Sequence, residues 1–226
     1  MRRTVGYLPG EMGLYADLTG REVLDLLARL AGTRIDPAWR RTLQERFEIP
    51  ESDLRRRLRE YSTGMKRKLG LIQAFQNRPR LLILDEPTEG LDPVMQQGFY
   101  ELLDESRRGG ATVFMSSHVL AEVDRVCDRI ALLRRGELVL NSGVEEVRRL
   151  ASRGVRLKFS ADVQPPAAMP AGTELLRTDP RSWELQVRGP LGPLLQFIAA
   201  LPVEDLEVAE ARLEDVLMKY YREAEA

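Results

Sequence analysis

Residues 81–93 read LLILDEPTEGLDP, and this stretch decides the fold. Four apolar residues, Leu81 to Leu84, run straight into Asp85 and Glu86, and a turn follows at Pro87. A continuous apolar run of this length suits a strand covered on both faces, as in a parallel sheet between helices. Carboxylates at its C-terminal end then stand where open α/β sheets place their ligands. One carboxylate beside a metal and a second free to orient water is the minimal equipment for attack on a nucleoside triphosphate. A solvated acidic strand end would give the same letters, so the pair alone leaves both readings open. No G-x-x-x-x-G-K-[ST] phosphate loop occurs among the 226 residues.

Working outward, strand and helix signals alternate. Residues 4–8 are β-like and stop at Pro9-Gly10. Residues 19–31 have helical spacing, with Thr19 as N-cap and Val23, Leu26, Leu27 and Leu30 on one face. Helices are expected at 37–47 and, short and basic, at 53–59. Ser62 caps a helix over 65–77 that Pro79 ends. Residues 93–108 form a helix stopped by Gly109-Gly110. A strand at 111–115, a helix at 119–127, a hairpin of 129–133 with 137–140 around Arg135-Gly136, and a charged helix at 144–153 follow. The alternation defines an α/β class with a parallel sheet. Near Gly154 the pattern changes. Strands at 155–159, 173–177, 183–187 and 204–208, with helices at 191–200 and 213–222, make a small α+β unit. Two domains are expected, 1–153 and 154–226, with a helical subdomain at about 12–62 in the first.

Composition excludes several classes. The net charge is −1, so no global field draws the chain to nucleic acid or to an anionic membrane. The single cysteine, Cys127, cannot form an internal disulfide, which fits a reducing compartment. No stretch approaches the ~18–20 apolar residues that a spanning helix needs. The first residues, MRRTVGYLPGE, carry the charges of a signal peptide without its apolar region. Any membrane association is expected to be peripheral, through a protein partner.

Two further constellations carry chemistry. Tyr61-Ser62-Thr63-Gly64-Met65 puts a hydroxyl and unsatisfied backbone N–H groups at a helix start, a competent anion site or a plain N-cap. Ser116-Ser117-His118 follows an apolar strand and holds the chain's one histidine. An imidazole there can bond a phosphate oxygen or a water, or it is a surface histidine with no such task.

Their joint occurrence in order resembles a family. Residues 61–70, YSTGMKRKLG, are similar to the signature motif of ATP-binding-cassette (ABC) ATPases. Residues 81–87 resemble their Walker B strand with its catalytic glutamate, Gly90-Leu91-Asp92-Pro93 their D-loop, Ser116-Ser117-His118 their switch histidine, and residues 5–9 the strand entering the Q-loop. The resemblance spans Val5 to about Leu150. Residues 212–221 are similar to the C-terminal extension of exporters of the ABC-2 type. The resemblance implies a P-loop NTPase core, ATP and Mg2+ as ligands, and two cassettes that sandwich the nucleotide. It implies that Asp85 holds magnesium through water, Glu86 polarises the attacking water, and His118 contacts the γ-phosphate and links it to Glu86. It also implies that Ser62, Thr63, Gly64 and Met65 meet the ATP of the opposite subunit, and that Asp92 works across the dimer. The implied partners are a membrane permease subunit, docked by residues 14–59, and a second ATPase subunit. The implied location is the cytoplasmic face of the membrane, with no nucleic acid.

Three departures stand out. Glycine occupies position 10, near where the family has its Q-loop glutamine, with Glu11 as a possible substitute. The signature reads Ser-Thr-Gly-Met in place of Ser-Gly-Gly-Gln. The family's first portion, with its stacking aromatic and phosphate loop, has no counterpart in these residues. An N-terminally truncated cassette is therefore expected in preference to a degenerate one. Two competing readings are a catalytically dead cassette that pairs with an intact one, and a soluble ABC protein acting on DNA or ribosomes. Heptads, cysteine pairs and a basic stripe, which would mark the last, are not seen.

Overall fold

The computed structural model describes residues 5–11, 15–32, 34–209, 213, 216 and 217. It divides into two compact units, 1–118 and 119–226. The expected last helix and the exporter-like tail lie outside the described residues, apart from Leu213, Val216 and Leu217, which the second unit buries.

The first unit is a parallel three-stranded sheet with helices. Its elements are β1 (Val5–Leu8), α1 (Gly20–Ala31), α2 (Pro37–Arg46), α3 (Glu51–Leu54), a 3-10 turn (Leu58–Glu60), α4 (Thr63–Phe75), β2 (Leu81–Asp85), α5 (Pro93–Arg108) and β3 (Thr112–Ser116). The strand order is β1-β2-β3, with Leu8 opposite Leu84 and Asp85 opposite Ser116. Local chemistry sets the helix ends. Thr19 and Glu22 form a reciprocal capping box on α1. The Thr19 backbone amide, foremost, and then its hydroxyl hold the Glu22 carboxyl below its ordinary value. Asp36 caps α2, and Asp92 caps α5, each with proline in the first turn.

Three expectations need correction. Residues 53–59 are not one helix, because α3 ends at Leu54 and a separate 3-10 turn follows. The buried side of α1 carries Leu24 and Ala28 with Val23, while Leu30 is 54% exposed. The expected stripe of Val23, Leu26, Leu27 and Leu30 was therefore turned away from the face the neighbours cover, which holds Leu24 and Ala28 in place of Leu30. The third correction concerns β2, which is not covered on both faces among the described residues. Gly6, Leu8, Leu82 and Leu84 are buried on one side. On the other, Tyr7, Ile83 and Phe114 share one row across the sheet, and Tyr7 and Phe114 are 51% and 66% exposed.

Gly6 is required where β1 meets α4, since a Cβ there would lie 2.2 Å from the Ala74 carbonyl oxygen. Between α1 and α4, the buried Gln76 amide donates to Leu24 O at 3.2 Å, and its oxygen accepts from Arg40 at 3.0 Å. Phe75 meets the edge of Phe99 across the core, with ring centroids 6.3 Å apart.

The second unit contains α6 (Leu120–Val126), the hairpin β4 (Arg129–Arg134) and β5 (Glu137–Gly143), α7 (Val144–Leu150), and the four-stranded antiparallel sheet of β6 (Ser152–Phe159), β7 (Thr173–Asp179), β8 (Ser182–Arg188) and β9 (Val203–Val208), with α8 (Gly192–Ile198). Sheet order is β7-β8-β6-β9. Arg135 and Gly136 both take positive φ, 50° and 83°, as a two-residue hairpin turn demands. Two cores form here. One gathers α6, the hairpin and α7 around Val147, and the other gathers Phe159, Trp183, Leu185 and Ile198.

Candidate functional site

The site lies at the C-terminal ends of β2 and β3. Asp85 ends β2, and its register partner Ser116 ends β3. The Ser116 hydroxyl donates to Asp85 Oδ1 at 2.5 Å, and Ser116 Oγ accepts from the Glu86 backbone N–H at 3.0 Å. The chain turns sharply at Glu86, whose φ of +46° lies in the left-handed region. The turn aims the Glu86 carboxylate toward His118, and Oε2 lies 2.8 Å from His118 Nδ1. An ionised carboxylate only accepts, so Nδ1 is the donor in this pair. Glu86 Oε1 and His118 Nε2 have no partner within the pair, and the His118 side chain is 71% exposed. Sequence placed Asp85, Glu86 and His118 as candidates, and the structure brings all three together.

The remaining candidates occupy a neighbouring edge. Ser62 is the N-cap of α4, its hydroxyl accepting from the Met65 N–H at 3.2 Å. Ser62 and Thr63 are exposed. Gly64 packs beside the turn before α5, because a Cβ on it would meet Gly90 O at 3.2 Å. Within this chain Asp92 Oδ1 is committed to capping α5, accepting from Val94 N and Met95 N at 3.0 Å each. Segment 16–20 runs beside 56–59, with Leu58 N–H bonded to Leu18 O and Arg59 N–H to Ala16 O. The chain after Gly10 is thereby tied to the chain before Ser62.

Sequence reasoning assigned no task to two residues here, Ser116 and Arg67. Arg67 is 5% exposed and bonds the carbonyls of Pro9, Gly10 and Asp85. Its signal was helical phase, since Arg67 lies on the same buried face of α4 as Leu71 and Ala74. Gly10 matters as a small residue. A Cβ there would come within 2.8 Å of Asp85 Oδ2. Its absence leaves a cradle beside the one Asp85 oxygen that Ser116 does not hold. Among the described residues no cluster of three or more metal-ligating side chains exists, so any cation here would need water and substrate oxygens to complete its shell.

An α/β core of the P-loop NTPase kind, with acidic groups at the carboxyl end of a parallel strand, is the class that fold and site define. Comparison with known proteins narrows it. A family profile described as "AAA domain, putative AbiEii toxin, Type IV TA system" matches residues 15–124. An uncharacterised ABC transporter ATP-binding protein of Nostoc sp. is 36% identical over 166 residues, covering 65% of this chain and 45% of that protein. The ABC transporter ATP-binding protein YtrB of Bacillus subtilis is 30% identical, covering 72% of this chain and 54% of that one. The bacitracin transport ATP-binding protein BcrA of Enterococcus faecalis is 36% identical, covering 63% and 46%. A solved structure of the ATP-binding subunit of an ABC transporter superposes with a TM-score of 0.60 at 33% identity, covering 66% of this chain and 62% of that one. The chain is a homologue of ABC transporter ATP-binding proteins over the part it shares with them. It spans about half the length of the curated relatives it matches. No helix among the described residues is long and apolar enough to cross a membrane.

Proposed function

We propose that this chain is the ATP-hydrolysing part of an ABC transporter, of the ABC-2 exporter type, and that it couples hydrolysis to transport through a separate membrane subunit. The observation that carries the reading is the convergence of Asp85, Ser116, Glu86 and His118 at the ends of two adjacent parallel strands. In this reading Asp85, with Oδ2 open toward Gly10, would hold the magnesium through water, and the ion would supply charge neutralisation on the phosphate oxygens. Glu86 Oε1 orients the attacking water and takes its proton, while Oε2 stays on His118 Nδ1. His118 Nε2 reaches the γ-phosphate, and it donates there only when the ring carries both protons. Ser62, Thr63, Gly64 and Met65 offer a helix start to the ATP of an opposing subunit, and Asp92 stands at that interface. The protein would act as a dimer at the cytoplasmic face of the membrane, with residues 1–153 as the ATPase domain and 154–226 as an accessory domain.

The phosphate loop would come from sequence outside these 226 residues. The open apolar row of Tyr7, Ile83 and Phe114 supports that, since a sheet face of this kind is normally covered. By itself this chain should then bind ATP only very weakly and tend to aggregate. Tight ATP binding by purified monomer would refute the point. The decisive experiment changes Glu86 to glutamine in protein that carries a phosphate loop. Turnover should fall by about 100-fold or more while ATP-driven dimerisation persists. Unchanged turnover would favour a catalytically dead cassette that serves its partner's ATP.

A further inference from the structure

Arg67 stands within α4 with its side chain only 6% exposed. Its Nη1 donates to Pro9 O at 3.0 Å and to Asp85 O at 3.3 Å. Its Nη2 donates to Gly10 O at 2.9 Å and to Glu89 Oε2 at 3.2 Å. Three of the four acceptors are backbone carbonyls, and the one carboxylate, on Glu89, is 63% exposed. A guanidinium withdrawn from water loses strong hydration, so its planar fork must satisfy several acceptors at once.

One of those acceptors is special. The Asp85 carbonyl belongs to the peptide bond that leads into Glu86. The N–H of that same peptide donates to Ser116 Oγ. A single peptide plane is therefore gripped at both edges, by Arg67 from α4 and by Ser116 from β3. Immediately beyond it Glu86 takes φ +46°, a region that L residues other than Asn and Asp avoid. Nothing in a Glu-Pro sequence favours that conformation, so its surroundings must impose it.

We propose that Arg67 is a positioning residue for Glu86. It locks the Asp85–Glu86 peptide plane and so keeps the Glu86 carboxylate aimed at His118. It also fixes the Gly10 backbone beside Asp85 Oδ2. Arg67 sits on the helix that Ser62 caps, so one side chain links that helix to the peptide that carries Glu86. The inference rests on the reading of Glu86 as the group that orients water, but its test does not need turnover.

His118 is the one histidine in the chain, so its imidazole protons give a single uncluttered set of NMR signals. In the full 226-residue chain, Glu86→Gln defines where those signals go when the carboxylate charge is removed. Arg67→Lys keeps a charge, but one ammonium cannot span acceptors on three segments. It should move the His118 signals toward the Glu86→Gln position. Glu89→Ala, which removes only the exposed acceptor, should leave them in place. If folded Arg67→Lys shows wild-type His118 signals while only its unfolding midpoint drops, Arg67 is a brace and the proposal fails. Should Arg67→Lys not fold, the wild-type chain still decides. A guanidinium held by four acceptors shows separately resolved, slowly exchanging Nη protons, and their absence would overturn the lock. In protein that turns over ATP, Arg67→Lys should lower kcat about tenfold with KM nearly unchanged. Loss of turnover on Glu86→Gln without any His118 shift on Arg67→Lys would sink this proposal and spare the functional reading.

Discussion

Replacing Ser116 by alanine removes one oxygen that serves two neighbours. Its hydroxyl gives Asp85 Oδ1 a hydrogen bond at 2.5 Å and takes one from the Glu86 amide at 3.0 Å. A hydrogen bond to a charged acceptor contributes about 1.5–3 kcal/mol, and a neutral one about 1 kcal/mol. Two effects reduce the sum. Ser116 is exposed at the strand end, so water can replace the hydroxyl on both partners. Glu86, freed at its N–H, can also relax from φ +46°, which returns part of the ~1 kcal/mol such a conformation costs. A net loss of about 1–2 kcal/mol is expected, seen as a fall of roughly 2–8 °C in the unfolding midpoint. Thermal unfolding followed by circular dichroism reads it. Ser116→Thr keeps the hydroxyl and suits a strand, and it should stay within about 0.5 kcal/mol of the parent. If alanine is as stable as serine, or threonine falls as far as alanine, the hydroxyl is not the bridge described here.

Other outcomes follow from the same geometry. Gly6→Ala would place a Cβ 2.2 Å from the Ala74 carbonyl oxygen and 2.8 Å from the Pro79 ring. Cβ atoms essentially never approach closer than 3.0 Å, so β1 or α4 must move. A loss of about 1–3 kcal/mol in urea unfolding is expected, and an unchanged midpoint would contradict the packing. Tyr61 donates its hydroxyl to Asp53 O at 2.7 Å, and burial, with the Asp53 carboxylate next, pushes its pKa from 10.0 up to about 12. A group raised in the folded state stabilises below its unfolded value and loses that contribution as pH climbs through the folded one. Stability should therefore fall between pH 10 and about 12, and Tyr61→Phe should remove that part of the fall. Equal high-pH slopes for the two proteins, in denaturant titrations, would refute it.

Much of this molecule was legible where one short segment holds all the information. Asp92 with Pro93 opens α5, and Gly110, at φ +87°, turns the chain away after the C-cap Gly109. Thr19 with Glu22, Ser62 with Met65, and Arg135-Gly136 in the hairpin are likewise bonds or torsions confined to a few residues. The apolar run ending in Asp85 and Glu86 named the central strand and the acidic tip of the site before any fold was known.

What lay beyond reach was contact between distant segments. Asp85 and Ser116 are 31 residues apart, and only the register of parallel strands puts their side chains together. Arg67 carried no task in the sequence beyond its place in the signature-like segment, yet helical phase and the turn after β1 bury it against carbonyls 57 and 58 residues away. Leu30 was placed on the helical stripe and Leu24 was not, yet Leu24 is covered and Leu30 is exposed, because the placement of neighbouring helices decides it. Periodicity states which side chains share a face. The tertiary structure alone decides what that face meets, because burial belongs to a pair of surfaces and not to one.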